Sequence, residues 1–303
     1  MKTGRRTGKL SFHLAARIMI PLTVLIAVTF IFTSISLRSA TEQMQDEIMT
    51  ENAGSIANTV ATYFADYRGI MQTMMCDPAF VSLFDEIEAT RITADADIKT
   101  LPSYHSAMAK LEAIAGTDRE TIDLAYIIET DKCYLVYNGD VAESFPVVLE
   151  RDYYLKAKAQ GDIVMCDPYV SSVGSTLVVP MSAPIYNARG KMTGVAALDF
   201  ALTALDKILA TYDSSEGEFF LVLSENGAVI HNSYLGDFAP ENVNDNGVSA
   251  DLLAALEQGE GKVTFTMPDG EKVHCVVTSV GNWGWQVISG MDDDLYQEHS
   301  RAL

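Results

Sequence analysis

Twenty consecutive residues, Ile18 to Leu37, carry no charge, and Arg17 and Arg38 close the run at its two ends. At the helical rise of about 1.5 Å per residue the run reaches about 30 Å, the thickness of a bilayer's hydrocarbon core. Pro21 falls in what would be the first turn of such a helix, where a missing N–H costs least. Lys2, Arg5, Arg6, Lys9 and Arg17 precede or abut the run, and no acid occurs before residue 39. That basic flank predicts a cytoplasmic N-terminus and an extracytoplasmic body. A cleaved signal peptide is the alternative. Its apolar region is about 7–15 residues long and ends in a small-x-small site. Ser34-Ile35-Ser36 has that form, but the length of the run favours a retained anchor. Either way the body is exported, and a membrane is one expected partner.

All 41 acidic residues lie in the body, against 15 of the 21 basic ones, and the formal net charge of the 303-residue chain is −20. Nucleic-acid binding needs Lys and Arg to neutralise phosphates, so this balance argues against a nucleic-acid partner. At 48% apolar residues the chain can still bury a core large enough for two domains.

The hydrophobic period then divides the body. Ile48, Ile56, Val60, Tyr63, Tyr67, Ile70 and Met74 recur at helical steps, so 41–75 reads as one long helix, with Asp77-Pro78 as punctuation and a further helical stretch to 89. Residues 103–115 form an amphipathic helix ending at Gly116. Strands follow over Ile122–Glu129 and Cys133–Tyr137 around the turn Thr130-Asp131-Lys132. Asp152–Gln160 is a short helix stopped by Gly161, and strands return near 163–166, 175–186 and 191–200. A second, smaller unit repeats the plan. It has a helix over 201–212, strands over 219–224 and 228–232, a helix over 252–256, then strands over 262–267, 272–280 and 285–290, with Pro268-Asp269-Gly270 as a turn.

The expected class is therefore α+β, with an N-terminal transmembrane helix, a long stalk helix and two stacked PAS-like modules of antiparallel sheet with flanking helices. The expected boundaries are 1–17 cytoplasmic, 18–37 transmembrane, 38–89 stalk, 90–200 first module, 201–292 second module and 293–303 a polar C-terminal segment. A second span is expected after residue 303.

Signatures of catalysis are absent from the sequence. There is no HExxH, GxSxG, P-loop or GxGxxG, and the five His are scattered. Acidic runs such as Asp292-Asp293-Asp294 read most simply as solvated surface. Cys76, Cys133, Cys166 and Cys275 show no metal-finger spacing. Cys133 and Cys166 belong to one unit and a disulfide between them is open, against the reading of all four as small buried hydrophobes. No cofactor, metal or enzymatic activity is expected of this segment.

Residues 150–200 carry a recognisable order. It runs Arg151-Asp152-Tyr153-Tyr154, then Asp167-Pro168-Tyr169, then Pro184-Ile185-Tyr186-Asn187, Gly190-Lys191, Gly194-Val195 and Asp199. This resembles the membrane-distal module of a double Cache domain, the extracellular sensor of many bacterial chemoreceptors and sensor kinases. Phe219–Ile230 and Gly284–Gly290 are similar to the membrane-proximal module, and the resemblance covers about 41–295. It implies a plasma-membrane receptor, most simply of the methyl-accepting chemotaxis type, that binds a small molecule in the distal module. It also implies a homodimer and cytoplasmic signalling partners reached through a segment beyond residue 303.

In the amino-acid-binding subset of that family, the resemblance places Arg151 on the ligand carboxylate, Tyr153 at a position usually held by Trp, Tyr154 beside it, Tyr169 after the strand, and Asp199 on the ligand ammonium. Tyr126 and Tyr137, on the neighbouring strands, are further candidates for the pocket lining. The pattern departs from the family at Pro146, where a Tyr is expected, and at Ser171, where an acid is common. Those departures leave an amine, a modified amino acid or another small molecule as ligand beside an ordinary amino acid. The chemistry is coherent by itself: a zwitterion needs a cation at one end and an anion at the other, and a guanidinium holds a carboxylate by two parallel hydrogen bonds. Taken singly, each residue also has a plain structural reading. Arg151 can pair with Glu150 or Asp152, the tyrosines can be core or rim, and Asp199 alternates with Leu198 and Phe200 and so faces either solvent or a pocket. Other functional readings are a histidine kinase or diguanylate cyclase sensor, a membrane-anchored binding module without output, and an exported hydrolase with a carboxylate site.

Overall fold

The computed structural model describes residues 4–301 except 91, 93, 143–145, 172–175, 213–214, 234–249 and 267–269. The expected turn residues Pro268 and Asp269, and the start of the strand expected at 175, lie outside the described residues.

One helix, α1 (Gly4–Met74), runs for 71 residues through the apolar segment and into the body. Because it begins at Gly4, Pro21 sits in its interior and not in a first turn. The part beginning at Met19 is long and apolar enough to cross a membrane, and its large side chains, Phe30, Ile31 and Phe32 among them, are exposed. Three of its threonine hydroxyls are satisfied within the helix. Thr23, Thr29 and Thr33 donate to the carbonyls of Met19, Leu25 and Thr29 at 2.8, 3.0 and 2.9 Å. Such internal bonding satisfies these donors where a hydrocarbon solvent cannot accept them.

Beyond residue 45, α1 buries a narrow stripe: Met49, Ala53, Ile56, Ala57, Val60, Phe64, Met71 and Met74. Of the expected residues, Ile56, Val60 and Met74 lie in this stripe, whereas Ile48, Tyr63, Tyr67 and Ile70 flank it and are only partly buried. Alanines at 53 and 57 let the sheets approach the helix closely. The stalk expected over 38–89 comprises the end of α1 and a separate helix, α2 (Pro78–Ala89). Asp77 forms the break by capping α2, its carboxylate accepting the Ala79 N–H at 2.9 Å with Pro78 at the first position. A four-residue helix, α3 (Asp95–Ile98), and α4 (Tyr104–Ala115) complete this side.

The first sheet contains β1 (Ile122–Glu129), β2 (Leu135–Tyr137), β3 (Asp140–Ala142), β4 (Val164–Met165), β5 (Tyr169–Val170), β6 (Leu177–Tyr186) and β7 (Met192–Ala201). The order is β3-β2-β1-β7-β6-β4, with β5 on the end of β6. All its pairings among the described residues are antiparallel. Buried Glu129 fixes the β1–β2 turn, its two carboxylate oxygens accepting the N–H groups of Asp131 and Lys132 at 2.8 and 2.7 Å. Lys132 in turn donates to the Ile87 and Thr90 carbonyls at the end of α2.

Helices cover both faces of this sheet, so β6 and β7 are buried almost throughout. On one face Ala125, Ile127, Ala196 and Leu198 pack against α1, α2 and α4. The approach is tight enough that a Cβ at Gly194 would overlap the Phe84 ring and the Ile128 carbonyl. On the other face Leu124, Tyr126, Ile128, Val195 and Ala197 meet a 3-10 turn (Pro146–Glu150) and helix α5 (Asp152–Gln160). α5 ends where Gly161 takes φ 69°, which L side chains rarely adopt.

After α6 (Leu202–Leu209), the second sheet contains β8 (Glu218–Leu223), β9 (Val229–Asn232), β10 (Glu260–Thr266), β11 (Lys272–Val280) and β12 (Trp285–Asp292), in the antiparallel order β10-β11-β12-β8-β9. Phe220, Val222, Trp285 and Val287 face α1 and join the same core as the first sheet. Phe219, Leu221, Val273, Cys275 and Ile288 face α7 (Ala250–Gln258). The C-terminal segment, expected only to be polar, is a helix, α8 (Asp293–Arg301), and Tyr296 fixes it to α1 by donating to Asp46 Oδ1 at 2.9 Å. The architecture is thus α+β, a long N-terminal helix with two antiparallel sheets and flanking helices. All four cysteines are free. Cys133, Cys166 and Cys275 are buried, whereas Cys76 is exposed. That replaces both expectations for them, the disulfide and the fourfold burial.

Candidate functional site

The sheet face under α5 holds the sequence's candidates. Asp199 lies on β7, opposite Leu124 of β1 and Pro180 of β6, and is wholly buried. Alternation along β7 sends Leu198 and Phe200 to the helix-packed face and Asp199 to the α5 face. Two tyrosine hydroxyls donate to its carboxylate: Tyr169 to Oδ2 at 2.6 Å and Tyr126 to Oδ1 at 3.2 Å. The two hydroxyls are 3.4 Å from each other. Tyr153, in the first turn of α5, completes an aromatic group. Its ring meets Tyr126 edge-on at 5.8 Å between centroids and Tyr169 at 5.9 Å. Buried Ser182 on β6 anchors this turn, donating to the Tyr153 carbonyl at 2.7 Å.

Electrostatics follows from the burial. No salt bridge reaches Asp199 among the described residues. Burial pushes its carboxyl up to about 7, and Asp123 on β1 adds like-charge repulsion, while the Tyr169 and Tyr126 hydroxyls oppose the rise. Burial also raises the Tyr153 phenol to about 12, helped by Asp199 and opposed by the positive charge of Arg151. Tyr169 and Tyr126 are raised for the same two reasons, burial first and the Asp199 charge second. All three phenols therefore stay protonated and act as donors. The nearby Cys166 thiol is raised to about 12 by burial and is inert as a nucleophile.

The other candidates lie around this group. Arg151 caps the start of α5 in an extended conformation and is exposed. It pairs with neither Glu150 nor Asp152; the latter pairs with Lys156 at 3.4 Å. Among the described residues its guanidinium is unengaged. Tyr137 is half-buried on β2, directly opposite Tyr126. Tyr154 is buried on a different side of α5. Its phenol is raised by burial and by Cys133, Glu129 and Asp131, and Lys158 lies 5.8 Å from its ring centre. Asp199, Tyr169, Tyr153 and Tyr126 thus come together, with Arg151 and Tyr137 beside them and Tyr154 apart. Ser182 and Asp123 are the additions that sequence reasoning missed. Ser182 carried no signal, since its contact is to a backbone atom 29 residues away in the chain.

Chemically, the group has the make-up of an anionic receptor that can take a cation. A buried carboxylate without a counter-charge, ringed by phenol faces and hydroxyls, fits an ammonium through ion pairing, hydrogen bonding and cation–π contact. Among the described residues no cluster of His, Cys, Asp and Glu has the make-up of a metal site.

The comparisons agree with this architecture. Residues 32–299 match the double Cache family dCache_1, described as a Cache domain. The chain belongs to that family of sensor domains. Among solved structures it is similar to the ligand-binding domain of the Campylobacter jejuni chemoreceptor Tlp3 in complex with L-norvaline, at 12% identity and TM-score 0.57, covering 86% of this chain and 95% of that one. It is similar to the ligand-binding domain of Mlp24 with asparagine, at 17% identity and TM-score 0.60, covering 88% and 99%. The extracellular domain of mmHK1S-Z2, a protein named as a histidine kinase, matches at 16% identity and TM-score 0.62, covering 85% and 98%. At these identities the likeness is one of fold. No curated protein sequence matches the chain.

Proposed function

We propose that this chain is the ligand-sensing part of a bacterial transmembrane chemoreceptor, with residues 18–37 crossing the plasma membrane and 39–303 outside. In this reading 90–200 is the distal, ligand-binding module and 201–292 the proximal one. The ligand is a small molecule carrying an ammonium group, an amino acid or an amine. The observation that carries the reading is Asp199: a fully buried carboxylate, held by two tyrosine hydroxyls and lacking a cationic partner among the described residues. Burying a charge without a partner is costly, so a protein that keeps one there keeps it for something that arrives.

Tyr126, Tyr153 and Tyr169 wall the ammonium, with Tyr137 and Tyr154 at the periphery. Arg151, unengaged among the described residues, is available for a ligand carboxylate. The Tyr169 and Tyr126 rings close over Asp199, so binding displaces a ring, and this ties occupancy to conformation. The protein works as a homodimer and passes the signal inward to cytoplasmic partners. A histidine kinase output is the second reading, supported by the likeness to mmHK1S-Z2.

Thermal unfolding of the protein with L-amino acids, primary amines and organic acids tests this. A ligand at 100 times its dissociation constant stabilises by about 2.7 kcal/mol. Stabilisation by amino acids that Arg151→Ala abolishes is expected for a zwitterion. Stabilisation by amines that Arg151→Ala leaves intact assigns an amine. If no ammonium compound raises the midpoint, the site assignment is wrong.

A further inference from the structure

α5 touches the candidate site at one end and the second sheet along its side. Lys156 follows Tyr153 by three residues, a helical neighbour on the same side. Its ammonium is 3.2 Å from Glu225 Oε2, in the turn between β8 and β9 of the second sheet. The next residue of that turn, Asn226, donates from its side-chain amide to Asp167 Oδ2 at 2.8 Å. Asp167 lies between β4 and β5, two residues before Tyr169, and its other oxygen, Oδ1, is buried without a hydrogen-bond partner among the described residues. Asp162, just after α5, is 3.5 Å from Arg68 of α1, whose guanidinium also lies 5.3 Å from the Trp283 ring centre in the turn between β11 and β12. Two of the three chain segments that bring a tyrosine to the Asp199 group, α5 and the one before β5, thus make a polar contact with the second sheet, and the first also reaches α1.

We propose that this polar seam (Lys156–Glu225, Asp167–Asn226 and Asp162–Arg68) is the device by which the state of the Asp199 site is passed to the second sheet and to α1. The inference rests on the reading of that site as the sensing site. Tyr153 and Tyr169 are the moving parts, because Tyr169 donates to the carboxylate, Tyr153 packs on the Tyr169 and Tyr126 rings, and both are covalently close to a seam residue. The seam suits a switch. Exposed ion pairs are individually weak and re-form readily, whereas the dry core around Phe64 and Trp285 has no cheap second arrangement. The unpaired Asp167 oxygen points the same way, since a buried acceptor without a donor gains a hydrogen bond from a shifted arrangement.

Amide hydrogen exchange on the full chain in detergent tests the proposal without a ligand, using Asp199→Asn to change the charge state of the site. The expected result is a change of threefold or more in exchange rate in the second sheet over 218–232 and in α1 over 60–74. In a background carrying Glu225→Gln and Asn226→Ala the change over 218–232 disappears, and in an Asp162→Asn background the change over 60–74 disappears. A response confined to 122–201 overturns the proposal. So does a response in the second sheet and α1 that persists in both backgrounds, which would assign the route to the buried core. Loss of ligand binding leaves this test unaffected, so the two readings fail separately.

Discussion

Phe64→Ala is expected to cost about 3–5 kcal/mol of folding stability, the range for deleting a fully buried aromatic side chain. Phe64 is 1% exposed and stands where three elements meet. Its ring packs edge-on against Phe200 of the first sheet at 5.3 Å and against Trp285 of the second at 5.4 Å. Tyr67, one turn further along α1, packs on the same Phe200 ring at 4.8 Å. Removing Phe64 opens a cavity bounded by α1 and both sheets, and the surrounding strands are paired on both sides and cannot collapse into it. Chemical denaturation of the wild type and the variant measures the effect. A loss below about 1 kcal/mol would mean that the ring is not the shared keystone of the two sheets.

Asp199→Asn is expected to stabilise the protein at pH 8 and to remove a pH dependence that the wild type shows. The carboxyl is held at about 7 in the fold, against an ordinary value of 3.8. Between those values the folded protein keeps a proton that the unfolded chain releases. Stability from this group is therefore fully present below about pH 4, falls as pH rises through the window, and levels off above 7. Each unit is worth about 1.4 kcal/mol, so the full span is of order 4 kcal/mol. The groups that set this balance are Asp123 and Tyr126 from β1, Tyr169 from β5 and, through Tyr153, Arg151 at the start of α5. An amide of the same shape carries no charge to desolvate, and its oxygen still accepts from a tyrosine hydroxyl. Midpoints of denaturation from pH 5 to 8 should converge for the two proteins at the acid end and diverge at the alkaline end, with the variant higher. Parallel profiles contradict the assignment. A residue that destabilises the empty protein is retained for what binds it.

The sequence was most readable where local chemistry decides. β1, β11 and α5 have the bounds that alternation, helical period and the Gly161 stop imply. The motif order placed Asp199 and Tyr169 in one module, and the structure puts the Tyr169 hydroxyl on the Asp199 carboxylate. Legibility ended where register decides. Tyr126 reaches Asp199 only because β1 pairs with β7 so that Leu124 stands opposite Asp199 and Tyr126 opposite Ala197. A one-residue slip would turn Tyr126 to the other face, and nothing local specifies the pairing of strands about seventy residues apart. Side-chain size hid another feature. Ala53 and Ala57 are buried in the helix–sheet seam but add little to a hydropathy pattern, so the stripe read from the large residues caught Ile56, Val60 and Met74 and took in Ile48, Tyr63, Tyr67 and Ile70 from its flanks. α8 was illegible for a third reason. Its sequence is polar almost throughout, and what fixes it is the packing of Leu295 and Tyr296 with Met49, Val276 and Met291, together with the Tyr296–Asp46 hydrogen bond.

The most direct measurement is a calorimetric titration of the ammonium compound that best stabilises the protein into the wild type and into Asp199→Asn. At pH 8 the wild type should bind and the variant should lose about 100-fold or more in affinity. If only the ionised site accepts the ammonium, the wild type at pH 5 should also bind about 100-fold more weakly, since roughly 1% of the sites are then ionised. Equal affinities in the wild type and the variant, at both pH values, would contradict the claim that Asp199 is the receptor of the signal.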